Sequence, residues 1–157
     1  MIRPLTLDEL PLCEPFACAF HEELALPGVF SMASFLQNWT FFLTTPGYES
    51  VIFGLFADKQ LIGGLGALMA PDLNTGDLEA NEFFWFVAKE YRQGAGALRL
   101  VKAFEDWGDA HDARGFRMVH LLSGLNAERF PKIYEHMKYR PIEVAHRKPN
   151  PRFEGVT

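Results

Sequence analysis

Three apolar runs stand close together in the middle of the chain: Val51 to Ala57, Leu61 to Met69 and Asn81 to Val87. The first two are partly β-branched and are joined only by Asp58, Lys59 and Gln60, so they read as a hairpin. Gly54 in the first and Gly63, Gly64 and Gly66 in the second weaken them as strands and imply close approach by another part of the chain. The third run, dense in Phe and Trp, ends in a glycine-containing turn from Lys89 to Leu98 that opens a helix. Ala97, Leu100, Val101, Phe104 and Gly108 line one face of that helix, and Arg114-Gly115 is its expected stop. Phe116 to Leu122 reads as a further strand, Asn126 to Met137 as a helix with Pro131 in its first turn, and Tyr139 to Ala145 as a last strand. Neighbouring strands followed by strand–helix–strand units imply an α/β (α+β) protein, with a mixed sheet covered by helices.

The first third of the chain is helical in pattern. Ile2 to Leu5 is a short apolar start, and Thr6-x-x-Glu9 has the form of a capping box. Pro11 and Pro15 then interrupt the pattern, so the first helix is expected from Pro15 to about Leu24. After Pro27-Gly28, Met32, Phe35, Leu36, Trp39, Phe42 and Leu43 recur at spacings of three and four, an amphipathic helix with an aromatic face that stops before Pro46-Gly47. Length and composition then bound the rest. With 157 residues, 48% of them hydrophobic, the chain reads as a single domain over 1–157 with a real core. Fifteen Lys and Arg against 20 Asp and Glu leave a net charge of −5, which argues against nucleic acid as a partner. No apolar run reaches the roughly 18 residues of a membrane span, and Met1-Ile-Arg-Pro leads into Thr6 without the pattern of an export signal. Cys13 and Cys18 make no disulfide framework, so the expected setting is a reducing cytoplasm.

The stretch that carries chemistry is strand, Gly94-Ala-Gly96-Ala97, helix. A helix start offers unpaired N–H groups and a positive dipole end, small residues let a phosphate reach them, and Arg92 adds a charge at the mouth. A Walker loop would need Gly-Lys-Ser/Thr, which the chain lacks. A dinucleotide fingerprint would need a small residue where Arg99 stands, and an acid ending a second strand; Asp112 instead sits at a helix end.

Phe84 to Leu100, Phe-Trp-Phe-Val-Ala-Lys-Glu-Tyr-Arg-Gln-Gly-Ala-Gly-Ala-Leu-Arg-Leu, resembles the acetyl-CoA segment of the GCN5-related N-acetyltransferases. Downstream, Ile133-Tyr-Glu-His-Met-Lys-Tyr139 is similar to that family's tyrosine-containing last helix and following turn, and the element order over residues 2–145 also matches. The resemblance implies a largely antiparallel mixed sheet whose third and fourth long strands, Asn81–Val87 and Phe116–Leu122, splay at the acetyl-CoA site. It implies that backbone groups of Phe86 and Val87 hold the pantetheine and thioester, and that Arg92 and the N–H groups of Gln93, Gly94, Ala95, Gly96, Ala97 and Leu98 hold the pyrophosphate. Asn126 lies where a side chain meets the pantetheine. Tyr134 would be the acid that protonates the departing thiolate, and Glu82 a base for the amine. The expected reaction is acetyl transfer to a small-molecule or peptide amine. Two departures stand out: Gly94 and Gly96 fall one place out of step with the family's Arg-x-x-Gly-x-Gly/Ala, and Lys138 replaces the glycine of the last turn.

Other features carry less. Cys13, Cys18 and His21 have no zinc spacing, and Ala25 stands where a zincin helix needs its second His, so no metal is expected. There is no Gly-x-Ser-x-Gly elbow. His111, His120, His136 and His146 are scattered and receive no role. Asp72, Asp77, Glu79 and Glu82 form an acidic stretch suited to a cationic acceptor, while Phe35, Trp39 and Phe42 could wall its pocket. The aromatic helix and the strand after Tyr139 could support a homodimer. The rival function is a catalytically silent CoA-binding sensor or interaction module of the same fold.

Overall fold

The hairpin forms between β2 (Ser50–Ala57) and β3 (Gln60–Pro71). Its turn needs no glycine, because Asp58 and Lys59 both take positive φ, 45° and 70°, which matches the right-handed twist of the strands. The computed structural model describes residues 1–23, 28–120, 129–146 and 148. Around the hairpin lie β1 (Ile2–Pro4), a 3₁₀ turn (Leu7–Cys13), α1 (Glu14–Glu23), α2 (Met32–Thr44), β4 (Leu78–Val87), α3 (Gly96–Ala110), β5 (Gly115–Arg117) and α4 (Phe130–His136). The five strands lie in chain order, antiparallel from β1 to β4, with β5 added parallel to β4 through the α3 crossover.

Each face of the sheet has its own core. Val51, Phe53, Leu55, Leu65 and Ala80 pack against Leu100, Val101 and Phe104 of α3. Ile52, Phe56, Phe84 and Phe86 pack against Leu10, Cys13, Phe16 and Trp39 from the amino-terminal helices. β2 is covered on both sides, so its sequence is continuously apolar rather than alternating. The glycines of β3 mark close approach: a methyl at Gly66 would lie 2.4 Å from the Phe84 ring and 2.6 Å from that of Trp39. Ser31 caps α2, its hydroxyl accepting the Ser34 N–H at 3.2 Å. Glu9 accepts the Thr6 N–H at 3.0 Å and also holds Arg3, and that pairing draws its carboxyl down to about 2.

The carboxy-terminal half departs from expectation in three ways. Helix α3 ends before Arg114-Gly115: Asp112 takes φ 59°, and the N–H groups of Asp112 and Ala113 return to the carbonyls of Asp109 and Gly108. Strand β5 is three residues long, not seven. No strand forms over Tyr139–Ala145; Pro141 removes a ladder donor, Ile142 and Val144 stay exposed, and Glu143 reaches sideways to Arg117.

Candidate active site

The parallel ladder between β4 and β5 ends at Asn81 opposite Arg117. Just beyond it β4 carries a bulge. Gly66 faces Phe84 while Ala67 faces Glu82, so Phe83 is the extra residue. Without it Glu82 would share a face with Phe84 and Phe86, among the aromatic rings of α1 and α2. With it Glu82 shares the α3 face with Ala80. There its Oε2 accepts the Val119 N–H at 2.9 Å. A side chain therefore replaces the next main-chain bond, and the ladder between the two strands ends there. Tyr134 donates its hydroxyl to the carbonyl of the same Val119 at 3.1 Å. Glu82 and Tyr134 thus meet at one residue, each only 7% exposed. Burial pushes the Glu82 carboxyl up to about 7, against the opposing pull of the Val119 N–H. Burial, and secondarily the Glu82 charge, holds the Tyr134 phenol above its ordinary value.

Tyr134 is set by the ends of its helix. Pro131 opens α4, and Lys138 closes it at φ 67°, with the N–H groups of Lys138 and Tyr139 bound to the carbonyls of Glu135 and Tyr134. The turn thus keeps the left-handed geometry that a glycine would give it. The Tyr134 ring lies 6.3 Å from Trp85, 6.1 Å from Phe130 and 5.6 Å from His120.

From this point the free edge of β4 leads to the start of α3. Ala88 donates to Ile62 at 2.8 Å, and antiparallel alternation from there turns the backbone groups of Phe86 towards β3 and those of Val87 and Trp85 towards the open side. In the loop, none of the N–H groups of Gln93, Gly94, Ala95, Gly96, Ala97 and Leu98 has a protein acceptor among the described residues; the first helical bond is Arg99 to Ala95, at 3.0 Å. The two glycines differ in purpose. A methyl at Gly96 would sit 2.8 Å from Leu55 Cδ2, so this glycine lets α3 settle on β2, whereas one at Gly94 would meet nothing within 4 Å. Arg92 is not a loose charge at the mouth. Its Nε donates to the Val87 carbonyl at 2.6 Å, and Nη2 pairs with both oxygens of Glu23 at 2.9 and 2.8 Å.

No family model matches the sequence, and no curated protein does. Solved structures match over nearly the whole chain. An aminoglycoside acetyltransferase from an uncultured soil metagenomic sample is 17% identical, with TM-score 0.72 over 96% of this chain and 97% of that one. A ribosomal-protein-alanine N-acetyltransferase from Brucella melitensis biovar Abortus 2308 is 15% identical, with TM-score 0.71 and coverage of 96% and 97%. AAC(6')-Iy, in complex with the bisubstrate analogue CoA-S-monomethyl-acetylneamine, is 18% identical, with TM-score 0.72 and coverage of 96% and 98%. The fold is that of the GCN5-related N-acetyltransferases.

Within this acetyltransferase fold, the residues singled out from sequence fall into three groups. Glu82 and Tyr134 come together, although 52 positions apart, at Val119. Val87 and the Gln93–Leu98 loop lie along the open edge and at the helix start. Asn126 lies outside the described residues. The aromatic face of α2 is packed rather than open: Trp39 is buried edge-on against Phe84 at 5.6 Å, and Phe35 lies 6.1 Å from the same ring. The acidic stretch is divided as well, since Asp72 accepts the Asn74 and Thr75 N–H groups inside its own loop. Three residues enter the site that the sequence did not single out. Trp85 does so through its open backbone and an indole N–H that has no partner among the described residues. His120 does so by stacking on Phe130, 6.2 Å between centroids, beside Tyr134. Glu23 enters through Arg92. The alternation of β4 could have exposed Trp85; nothing local marks His120 or Glu23, whose partners are distant in sequence.

Proposed function

We propose that this chain is an acetyl-CoA-dependent N-acetyltransferase acting on an amine by direct attack, with Glu82 as base and Tyr134 as acid. The observation that carries the reading is the meeting of these two side chains at Val119, where β4 and β5 part. The loop suits the ligand chemically: six unpaired N–H groups precede and open a helix, and the space beside Gly94 is empty. On this reading the N–H groups from Gln93 to Leu98, with Arg92, hold the pyrophosphate. The open backbone groups of Trp85 and the N–H of Val87, whose carbonyl is held by Arg92, take the pantetheine in place of the groups of Phe86, and Asn126 keeps its assignment to the same arm.

Bound acetyl-CoA supplies an activated acyl carbon and a good leaving group. Glu82 accepts a proton from the acceptor's ammonium, directly or through one water. The freed nitrogen then bonds to the acyl carbon and passes its surplus proton to solvent as the carbon–sulfur bond breaks, and Glu82 afterwards releases the proton it took. Tyr134 gives its hydroxyl proton to the departing sulfur and recovers one from solvent. A carboxyl raised to about 7 is matched to this task near neutrality, because it is ionised there and still basic enough to take the proton. The acceptor class is a small-molecule or peptide amine. Similar structures are named for aminoglycosides and for the alanine of a ribosomal protein.

One observation favours a second reading. The Tyr134 hydroxyl is already spent on the Val119 carbonyl, and Glu82 on the Val119 N–H, so both side chains can serve as struts of a silent CoA-binding module. Thiol release from acetyl-CoA, followed over a panel of aminoglycosides, polyamines and peptides with free amino termini, separates the two. Release that depends on an amine is expected. Acetyl-CoA binding without release on any amine would establish the silent module instead.

A further inference from the structure

Glu23 is the last residue of α1, and it is joined to Arg92 across 69 positions of sequence. Both its carboxylate oxygens accept from Nη2, while Nε of the same guanidinium is fixed on the Val87 carbonyl. The guanidinium also lies 4.9 Å over the Phe86 ring. That ring stacks on Phe16 at 6.2 Å and meets Phe20 edge-on at 6.0 Å, both residues of α1. Arg92 is therefore held from three sides: by the carbonyl of the open strand edge, by an aromatic face, and by the carboxylate at the end of α1.

A guanidinium is a rigid planar fork. With Nε and Nη2 both committed, the direction of Nη1 is fixed, and Nη1 has no acceptor among the described residues. Arg92 immediately precedes, in sequence, the six N–H groups that have no acceptor among the described residues, and its backbone is continuous with theirs. A free arginine would lose side-chain entropy on meeting an anion, whereas a clamped one has already lost it.

We propose that Glu23 is a positioning residue for the acetyl-CoA pyrophosphate: it holds Arg92 against β4 so that Nη1 is presented to the anion, and it keeps that hold while the ligand is bound. This rests on the acetyl-CoA reading above. It also ties α1, on the far face of the sheet, to the ligand loop through the one ion pair that joins them among the described residues.

Calorimetric titration of the full chain with acetyl-CoA tests it. Glu23→Ala should weaken binding about three- to fivefold, the reach of one partly exposed ion pair. Glu23→Gln keeps an acceptor for Nη2 and should recover part of the loss. The exchanged pair, Glu23→Arg with Arg92→Glu, should regain melting temperature relative to Glu23→Ala while its affinity stays low, because the cation now projects from α1. If Glu23→Ala melts lower but binds as well as wild type, the pair is only a staple between α1 and the loop. Tighter binding in Glu23→Ala would mean that Glu23 competes with the anion for Arg92. Either result overturns the proposal alone. Failure of the wild-type chain to bind acetyl-CoA overturns the acetyl-CoA reading and this proposal with it.

Discussion

Glu82 is an acid that the fold has made reluctant to ionise, and the sign of that effect gives a stability test as well as a kinetic one. Its carboxyl titrates at about 7 in the folded chain against 4.5 when unperturbed, so between those values the folded state binds more protons than the unfolded. The share of stability that depends on Glu82 is therefore fully present below about 4.5 and is lost as pH rises through about 7. The full cost of the charged form is on the order of 3 kcal/mol. Glu82→Gln retains an acceptor for the Val119 N–H without the charge. It should come close to wild type at pH 4 and melt higher at pH 8; an equal difference at both would mean that Glu82 is not buried in the folded chain. If Glu82 is the base, kcat/KM of the wild type rises with a midpoint near the same value, about 7, and the Gln variant loses that limb. Tyr134→Phe removes only a hydroxyl. Turnover should fall roughly 100-fold or more while acetyl-CoA affinity is kept. A variant that turns over normally but melts lower by about 1 kcal/mol would make the phenol a strut for Val119 and nothing else.

Among the elements, those governed by local pattern are legible in the sequence and those governed by distant partners are not. The β2–β3 hairpin, the aromatic helix α2 and the strand–loop–helix from β4 to α3 follow from apolar spacing and turn residues that act within a few positions. Pattern alone overstates β5. Its apolar run continues past Arg117, but the Val119 N–H is taken by Glu82 from another strand, which ends the ladder. Tyr139–Ala145 has strand-like composition yet finds no strand partner among the described residues, and Glu143 is drawn to Arg117. The loop glycines read locally as one small-residue cradle, whereas the sheet behind the loop gives them separate roles. Gly96→Ala should cost about 1–3 kcal/mol, because its methyl would press on buried Leu55. Gly94→Ala, which meets nothing, should melt within about 0.5 kcal/mol of wild type. Equal melting of the two variants would refute that division. Lys138 presents the converse case, an L-residue held at φ 67° to close α4. Lys138→Gly should raise stability by about 1 kcal/mol or slightly less, the relief of left-handed strain being partly offset by a more flexible unfolded chain. A loss would show that the lysine side chain supports the turn.

At the scale of the whole molecule, the sheet carries one core on each face, and the open edge of β4 runs between them. One face carries α3, whose first turn opens the anion site; the other carries α1, whose last residue grips Arg92 of the same loop. The order of elements is enough to foresee such a sheet, because three adjacent strands and a crossover leave few ways to bury their faces. It is not enough to foresee the link from α1 to the loop, which depends on how two surfaces meet in space. A ligand lying along that edge and loop binds only the folded chain, since its donors come from β4, the loop and α3 together. Acetyl-CoA at 100 times its dissociation constant should then add about 2.7 kcal/mol, a rise of roughly 5–10 °C in melting temperature for a domain of this size. The rise should shrink with added salt, because much of the contact is between an anion and a partly exposed arginine with helix-end N–H groups. Free CoA, which shares the pyrophosphate, should produce most of the same shift. If neither compound moves the melting temperature, the unpaired N–H groups from Gln93 to Leu98 are only the solvated start of a helix, and both the transferase and the silent module fall together.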